Sequence, residues 1–298
     1  MRSVYADTLR WSRQVTDIRP IDHSSRSVRA ARTVHVAREP RLLLSEMASM
    51  VASEAFGRSP LKSKLAPDQI IVCTTSFEQD LALSCAGRLH SELRSTGAPF
   101  AIGQMQGPSF FVALRLVSDM MVSDANMRCA LIVGAERWVL PFTRQTRLPG
   151  TLGDGAAAVL VSRHICPAWD VLAVNVRTPP APAAPRAISV DERFVVEVIA
   201  QTCACAELTA DTIDWIVPPR IDAELASRIS AQARFSGRTW YPKQDDTGYL
   251  CAADAPAQLD ALLHSTVPFH GQRILLWSAG LQGQAGCVIL QYRASQHD

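Results

Sequence analysis

The chain has 298 residues, 48% of them hydrophobic, with 30 basic against 28 acidic side chains and a net charge of +2. That length and apolar content suit one large or two medium domains around a sizeable core and exclude a disordered chain. The balanced charge supplies no field to draw in nucleic acid or an anionic membrane, so neither is expected as a partner.

The opening segment MRSVYADTLRWSRQ carries charges in its first turns and no continuous apolar run. It therefore reads as neither secretory signal nor anchor. No stretch approaches the roughly 18 apolar residues of a spanning helix, and a cytoplasmic protein is expected. The first 30 residues, rich in Arg, Ser and Asp, read as an irregular arm. Beyond it, the first half predicts a helix over Arg41 to Ala55 and a buried strand over Ile70 to Thr74. A helix over Phe110 to Met121 and strands over Ala130 to Gly134 and Ala156 to Ser162 follow. Thr178 to Pro185, with four prolines, cannot supply the ladder hydrogen bonds of a central strand and reads as an extended connector. The second half predicts a helix over Phe194 to Ala206, a strand over Asp214 to Val217 and a helix over Pro256 to Leu263. Strands over Arg273 to Trp277 and Gly286 to Tyr292 close it.

The two halves read as copies. Leu65 to Val72 matches Leu208 to Trp215 at an offset of 143 (208 − 65), which also carries Leu131-Ile132-Val133 onto Ile274-Leu275-Leu276 and Leu114 to Met120 onto Ala257 to Leu263. Short apolar strands alternating with helices require sheets covered on both faces. The expected fold is α/β, a duplicated five-layer α/β/α/β/α sandwich. Its halves are expected at 1–177 and 186–298, joined by the connector 178–185. The eight cysteines are scattered through apolar runs without CxxC pairs or metal-spaced histidines, which predicts buried, reduced thiols with no metal and no cofactor.

Cys129 to Arg137, containing Val133-Gly134-Ala135-Glu136, is followed by Gly153-Asp154-Gly155-Ala156. The glycines permit a tight strand-entering turn, and Asp154 can bond neighbouring amides. This pair resembles the V-G-A-E strand and G-D-G-A turn of the ketoacyl-acyl-carrier-protein synthase III branch of the thiolase superfamily. Leu65 to Thr74, Asp214 to Pro218 and Gly271 to Leu290 are similar to three further segments of that family, so the resemblance spans about residues 40 to 292.

The resemblance implies the thiolase fold and acyl transfer through a cysteine at a helix start. There, aligned amides lower the thiol's pKa and two backbone N–H groups stabilise an oxyanion. The pattern C-x-G-[FG]-x-x-A-L falls on Gly107 to Leu114, which places Gly107 at the nucleophile. The histidine expected after Pro218 is Pro219, and the third polar position is Tyr249. Glycine cannot hold an acyl group and proline has no donor.

Candidate substitutes are Ser109, on the same turn, and Cys251 and Asp254, near Tyr249; for Ser109 a helix-capping role is the plainer reading. Gln104 and Gln106 precede the turn, and Gln106 is one residue early for a glutamine at the nucleophile position. None of the seven histidines follows the proline of the Asp214 strand. Arg137, Arg144 and Arg147 lie beyond the V-G-A-E strand as candidates for a phosphopantetheine phosphate, with exposed loop charges as the alternative.

Three functions fit. One is a catalytically degenerate subunit paired with an active ketoacyl synthase III-like partner in fatty-acid, polyketide or related secondary metabolism. It resembles in this respect the degenerate subunit of the heterodimeric condensing enzyme of alkylquinolone synthesis. Another is an acyltransferase that moves an acyl group from coenzyme A or acyl carrier protein by positioning alone. The last is a regulatory homodimer that binds acyl thioesters. The first is the reading favoured by an intact framework around replaced reactive positions.

Overall fold

The structure, a computed structural model, describes residues 3–5, 15–18, 34–58, 66–80, 82–144, 151–163, 168–180, 190–241 and 247–294. The arm therefore lies largely outside the described residues. Three short strands come first: β1 (Ser3–Tyr5), β2 (Val15–Ile18) and β3 (Val34–Ala37). The first half continues through α1 (Leu44–Arg58), β4 (Gln69–Thr74), α2 (Cys85–Leu93), β5 (Phe100–Gly103), α3 (Pro108–Ser123), β6 (Cys129–Glu136) and β7 (Gly155–Ser162). The second comprises β8 (Ala168–Arg177), α4 (Glu192–Cys205), β9 (Trp215–Val217), α5 (Ala223–Gln232), β10 (Arg238–Thr239), α6 (Asp254–Leu263), β11 (Arg273–Ala279) and β12 (Ala285–Arg293).

Strand order shows the duplication directly. It runs β5-β4-β6-β7-β1 in the first half and β10-β9-β11-β12-β8 in the second, and β1 joins the halves by pairing with β8. In each copy β4 or its counterpart β9 is parallel to both its neighbours. β7 and its counterpart β12 run antiparallel to both their neighbours. β2 and β3 form a separate antiparallel pair. By this pairing β8 goes with the second copy, and the proline-rich run joins β8 to α4.

Burial follows the layers. Met47, Ala48, Val51 and Ala52 of α1 cover Ile70, Val72, Leu131 and Val133 on one outer face. Val195, Val198 and Ile199 of α4 cover Ile216, Leu275 and Trp277 on the other. Between the sheets, α3 and α6 share a core with Ile71, Ile132, Val217, Ile274 and Leu276. This is the five-layer thiolase arrangement. Asp191 and Asp222 start α4 and α5 by accepting backbone N–H bonds. Among the described residues no helix is long and apolar enough to cross a membrane. Of the free cysteines, Cys205 is exposed against expectation, and Cys85 is half-buried.

The single offset of 143 is corrected by the register. Asp68 bonds the amide of Cys129 through its carboxylate and its carbonyl through its own N–H, and Asp214 repeats both bonds on Arg273. Asp214, and not Asp211, is thus the counterpart of Asp68. Ile70 and Leu131 are paired on an outer face, as are Ile216 and Leu275. The offsets are 146 (216 − 70) and 144 (275 − 131). An odd offset would turn each strand's core residues to the opposite face, because side chains alternate along a strand.

Candidate functional site

The sheets bring their matching ends together at the start of α3. The turn before it places Gln104 and Gln106 in the left-handed region, with φ of 62° and 54°. Gly107 follows at φ −55° as the helix cap, without a side-chain cap, and Pro108 occupies the first turn, where a missing N–H does no harm. An α-helix leaves its first amides without intrahelical partners. Here the Gly107 N–H donates to the Tyr249 hydroxyl oxygen at 3.1 Å.

Tyr249 reaches that amide from the second half and is held on both sides. Its N–H donates to the Thr151 carbonyl, and its carbonyl accepts from Gly153 N–H. Its ring packs with Leu152, Ile221 and Cys251. Burial pushes the phenol well above its usual value, and the neighbouring Asp254 carboxyl adds to this. Tyr249 is therefore a neutral phenol, and not a base, near pH 7.

Ser278, near the end of β11, fills the remaining space. A Cβ on Gly107 would stand 1.9 Å from Ser278 Oγ, 2.8 Å from the Tyr249 hydroxyl and 2.9 Å from Ser278 Cβ. Gly107 has an ordinary helical φ, so this position needs glycine for room alone. On the other side of the turn, Gln106 Oε1 accepts from the backbone N–H of Leu281 at 2.9 Å.

Two family descriptions match this chain. Residues 104–180 match 3-oxoacyl-[acyl-carrier-protein] synthase III, and residues 203–292 match the C-terminal part of the same enzyme. Together they take in more than half of the sequence and both sides of the turn. The chain belongs to the ketoacyl synthase III family. A β-ketoacyl-[acyl-carrier-protein] synthase III of Wolbachia pipientis is 25% identical over 283 residues, covering 87% of this chain and 86% of the relative. Among solved structures, ChlB3, described as an acyltransferase, superposes with a TM-score of 0.75 at 19% identity, covering 87% of each chain. The 3-oxoacyl-[acyl-carrier-protein] synthase III of Aquifex aeolicus superposes with a TM-score of 0.70 at 22% identity, also covering 87% of each chain.

Within this ketoacyl synthase III framework the other candidates take structural positions. Ser109 is buried, and its hydroxyl donates to the Gln106 carbonyl at 2.6 Å. It is therefore not an acceptor capping the helix amides, as the sequence reading had it. Cys251 is fully buried, with its backbone in the left-handed region. Burial, then the carboxylates of Glu136 and Asp254, push its thiol well above its usual value, which removes the thiolate a nucleophile requires. Pro219 is buried behind β9, and the Pro218 carbonyl accepts from Gln258 Nε2 at 2.6 Å.

Asp254 is brought near Tyr249 but faces its own network. It accepts from Gln258 Nε2 at 2.9 Å and Arg220 N–H at 3.1 Å. Burial raises its carboxyl to about 6, and the Arg220 charge draws it partly back.

Arg137 and Arg144 are committed to partners within the fold. Arg144 makes a bidentate pair with Asp154, both contacts at 2.7 Å, and also donates to the Trp138 carbonyl. Arg137 is buried and spends its guanidinium on the Glu39 carbonyl and on Gln79. Arg147 lies outside the described residues. Asp154 also accepts from Glu39 and Trp138 amides, so the G-D-G-A turn is a hub of the fold.

Sequence reasoning missed Ser278 and Leu281 altogether and gave Gln106 no structural partner. Gly107 itself carried the signal, because a buried helix start with no side chain requires another residue to fill the space.

Proposed function

We propose that this chain is a catalytically silent ketoacyl synthase III-like subunit that supports an active condensing partner in fatty-acid, polyketide or related secondary metabolism. The observation that carries the reading is the start of α3. Gly107 offers no group to hold an acyl chain, its amide is bonded to Tyr249, and Ser278 stands where a larger residue's Cβ would need room. Pro219 supplies no proton donor or acceptor at the position the family resemblance gives to a histidine.

The partner is a ketoacyl synthase III-like subunit carrying its own cysteine, with acyl-coenzyme A or acyl carrier protein delivering substrate to that subunit. Support comes from β5, which pairs only with β4 among the described residues and ends the sheet with Phe100 and Ala101 exposed. An open apolar edge is a surface that a second subunit covers well.

A second reading, direct acyl transfer, has the likeness to ChlB3 in its favour. The site's chemistry weighs against it, because Tyr249 is a neutral buried phenol and Asp254 is tied to Gln258 and Arg220. Co-expression with an intact synthase III-like protein from the same source, followed by sizing, tests the proposal. A stable mixed dimer is expected. A homodimer that condenses acyl groups unaided would remove the reading.

A further inference from the structure

The resting state of the α3 turn has a consequence for ligand binding that follows from its hydrogen bonds. An acyl thioester is held for chemistry by amides aimed at its carbonyl oxygen. Two amides face this turn, one from each half of the chain. Gly107 N–H at the start of α3 is bonded to the Tyr249 hydroxyl, and Leu281 N–H, after β11, to Gln106 Oε1. Both acceptors are side-chain oxygens of the chain itself, at ordinary hydrogen-bond distances of 3.1 and 2.9 Å.

We infer that the site is sealed from within. Tyr249 and Gln106 occupy the amides that a thioester carbonyl would use, Ser278 fills the space beside Gly107, and acyl thioesters of the phosphopantetheine class do not dock here. The inference rests on the reading of Gly107 as the nucleophile position and extends it from lost chemistry to lost binding.

The seal is built into the framework. Tyr249 is 3% exposed and its backbone is clamped to Thr151 and Gly153, so the ring cannot swing out without breaking the contact between β7's entry turn and the 247–250 segment. Gln106 is fixed by the left-handed turn that aims it at Leu281. A carbonyl oxygen would have to displace the buried Tyr249 hydroxyl and the half-buried Gln106 Oε1 from amides they already satisfy, an exchange with no net gain. In a mixed dimer, acyl groups would then bind to one subunit only.

The test uses the full chain and octanoyl-coenzyme A as probe. Titration calorimetry is expected to show no saturable binding to the wild type. The triple variant Gln106→Ala, Tyr249→Ala, Ser278→Ala is expected to bind saturably, at least about tenfold more tightly than the weakest binding the titration detects, the gain that one freed amide contact supplies. Tyr249→Phe keeps the ring, removes the acceptor and guards against a triple variant that does not fold. Hydrogen exchange of the peptide containing Gly107 is expected to accelerate about tenfold in it.

Unchanged exchange in Tyr249→Phe overturns the inference, as does a folded triple variant with no gain in binding. Binding to the wild type without turnover overturns the seal alone. Turnover, or an acyl adduct on Ser278, overturns the subunit reading as well.

Discussion

Replacing Gly107 with alanine separates steric need from backbone need. The native φ of −55° suits any residue, and alanine is the better helix former, so backbone preference favours the substitution slightly. The space does not. The new Cβ would meet Ser278 Oγ at 1.9 Å, against 3.4 Å or more for ordinary contact. Rotating the serine hydroxyl away leaves Ser278 Cβ at 2.9 Å and the Tyr249 oxygen at 2.8 Å, so β11 or the 247–250 segment must shift. Overpacking of this kind costs about 1–3 kcal/mol, which lowers Tm by roughly 2–10 °C in a chain of this size. Adding Ser278→Ala removes the worst contact and keeps those at 2.8 and 2.9 Å. The double variant should therefore recover about half of the loss, with a coupling of about 1 kcal/mol in a thermodynamic cycle. Differential scanning calorimetry of the four proteins measures it. Additive effects, or a Gly107→Ala protein as stable as the wild type, would refute the account of why glycine stands there.

Asp154→Ala should destabilise by about 3–5 kcal/mol in chemical denaturation, because it strands the nearly buried Arg144 guanidinium and two backbone amides; a loss below about 1 kcal/mol would contradict the hub role of the turn. Stability should also fall as pH rises through 6 to 7. Burial raises Glu136 from 4.5 to about 7 and Asp254 from 3.8 to about 6, so the folded chain binds protons that the unfolded chain has released. Their contribution is complete below about pH 4 and disappears above the folded values. Tm measured between about pH 5 and pH 8 should decline more steeply in the wild type than in the double variant Glu136→Gln, Asp254→Asn, and equal slopes would contradict the assignment.

The architecture was legible because each copy spells its buried strands as wholly apolar runs, and the glycine turn beside them has few folds that fit it. What stayed hidden has physical reasons. Helices α2 and α5 bury only a few residues each on otherwise polar sequences, so their signal is weak. Strand β8 is only half-buried along most of its length and lacks the continuous apolar run that marked the others. The offset error arose because Asp68 and Asp211 look alike in sequence, whereas the staple that closes the second strand is made by Asp214.

At the site, the replaced residues were legible and what replaced them was not. Ser278 lies in another strand, and nothing local tells that its hydroxyl fills the room beside Gly107. Arg144 reads as a phosphate candidate or an exposed loop charge because its partner, Asp154, comes ten residues later and no sequence pattern marks the pair.

The central claim is that the start of α3 holds no acyl group. Intact-mass measurement of the purified chain after incubation with acyl-coenzyme A tests it most directly. The account predicts an unchanged mass under conditions that acylate an intact ketoacyl synthase III. A mass increase of one acyl group, mapped by peptide sequencing to Ser278, Ser109 or Cys251, would contradict it.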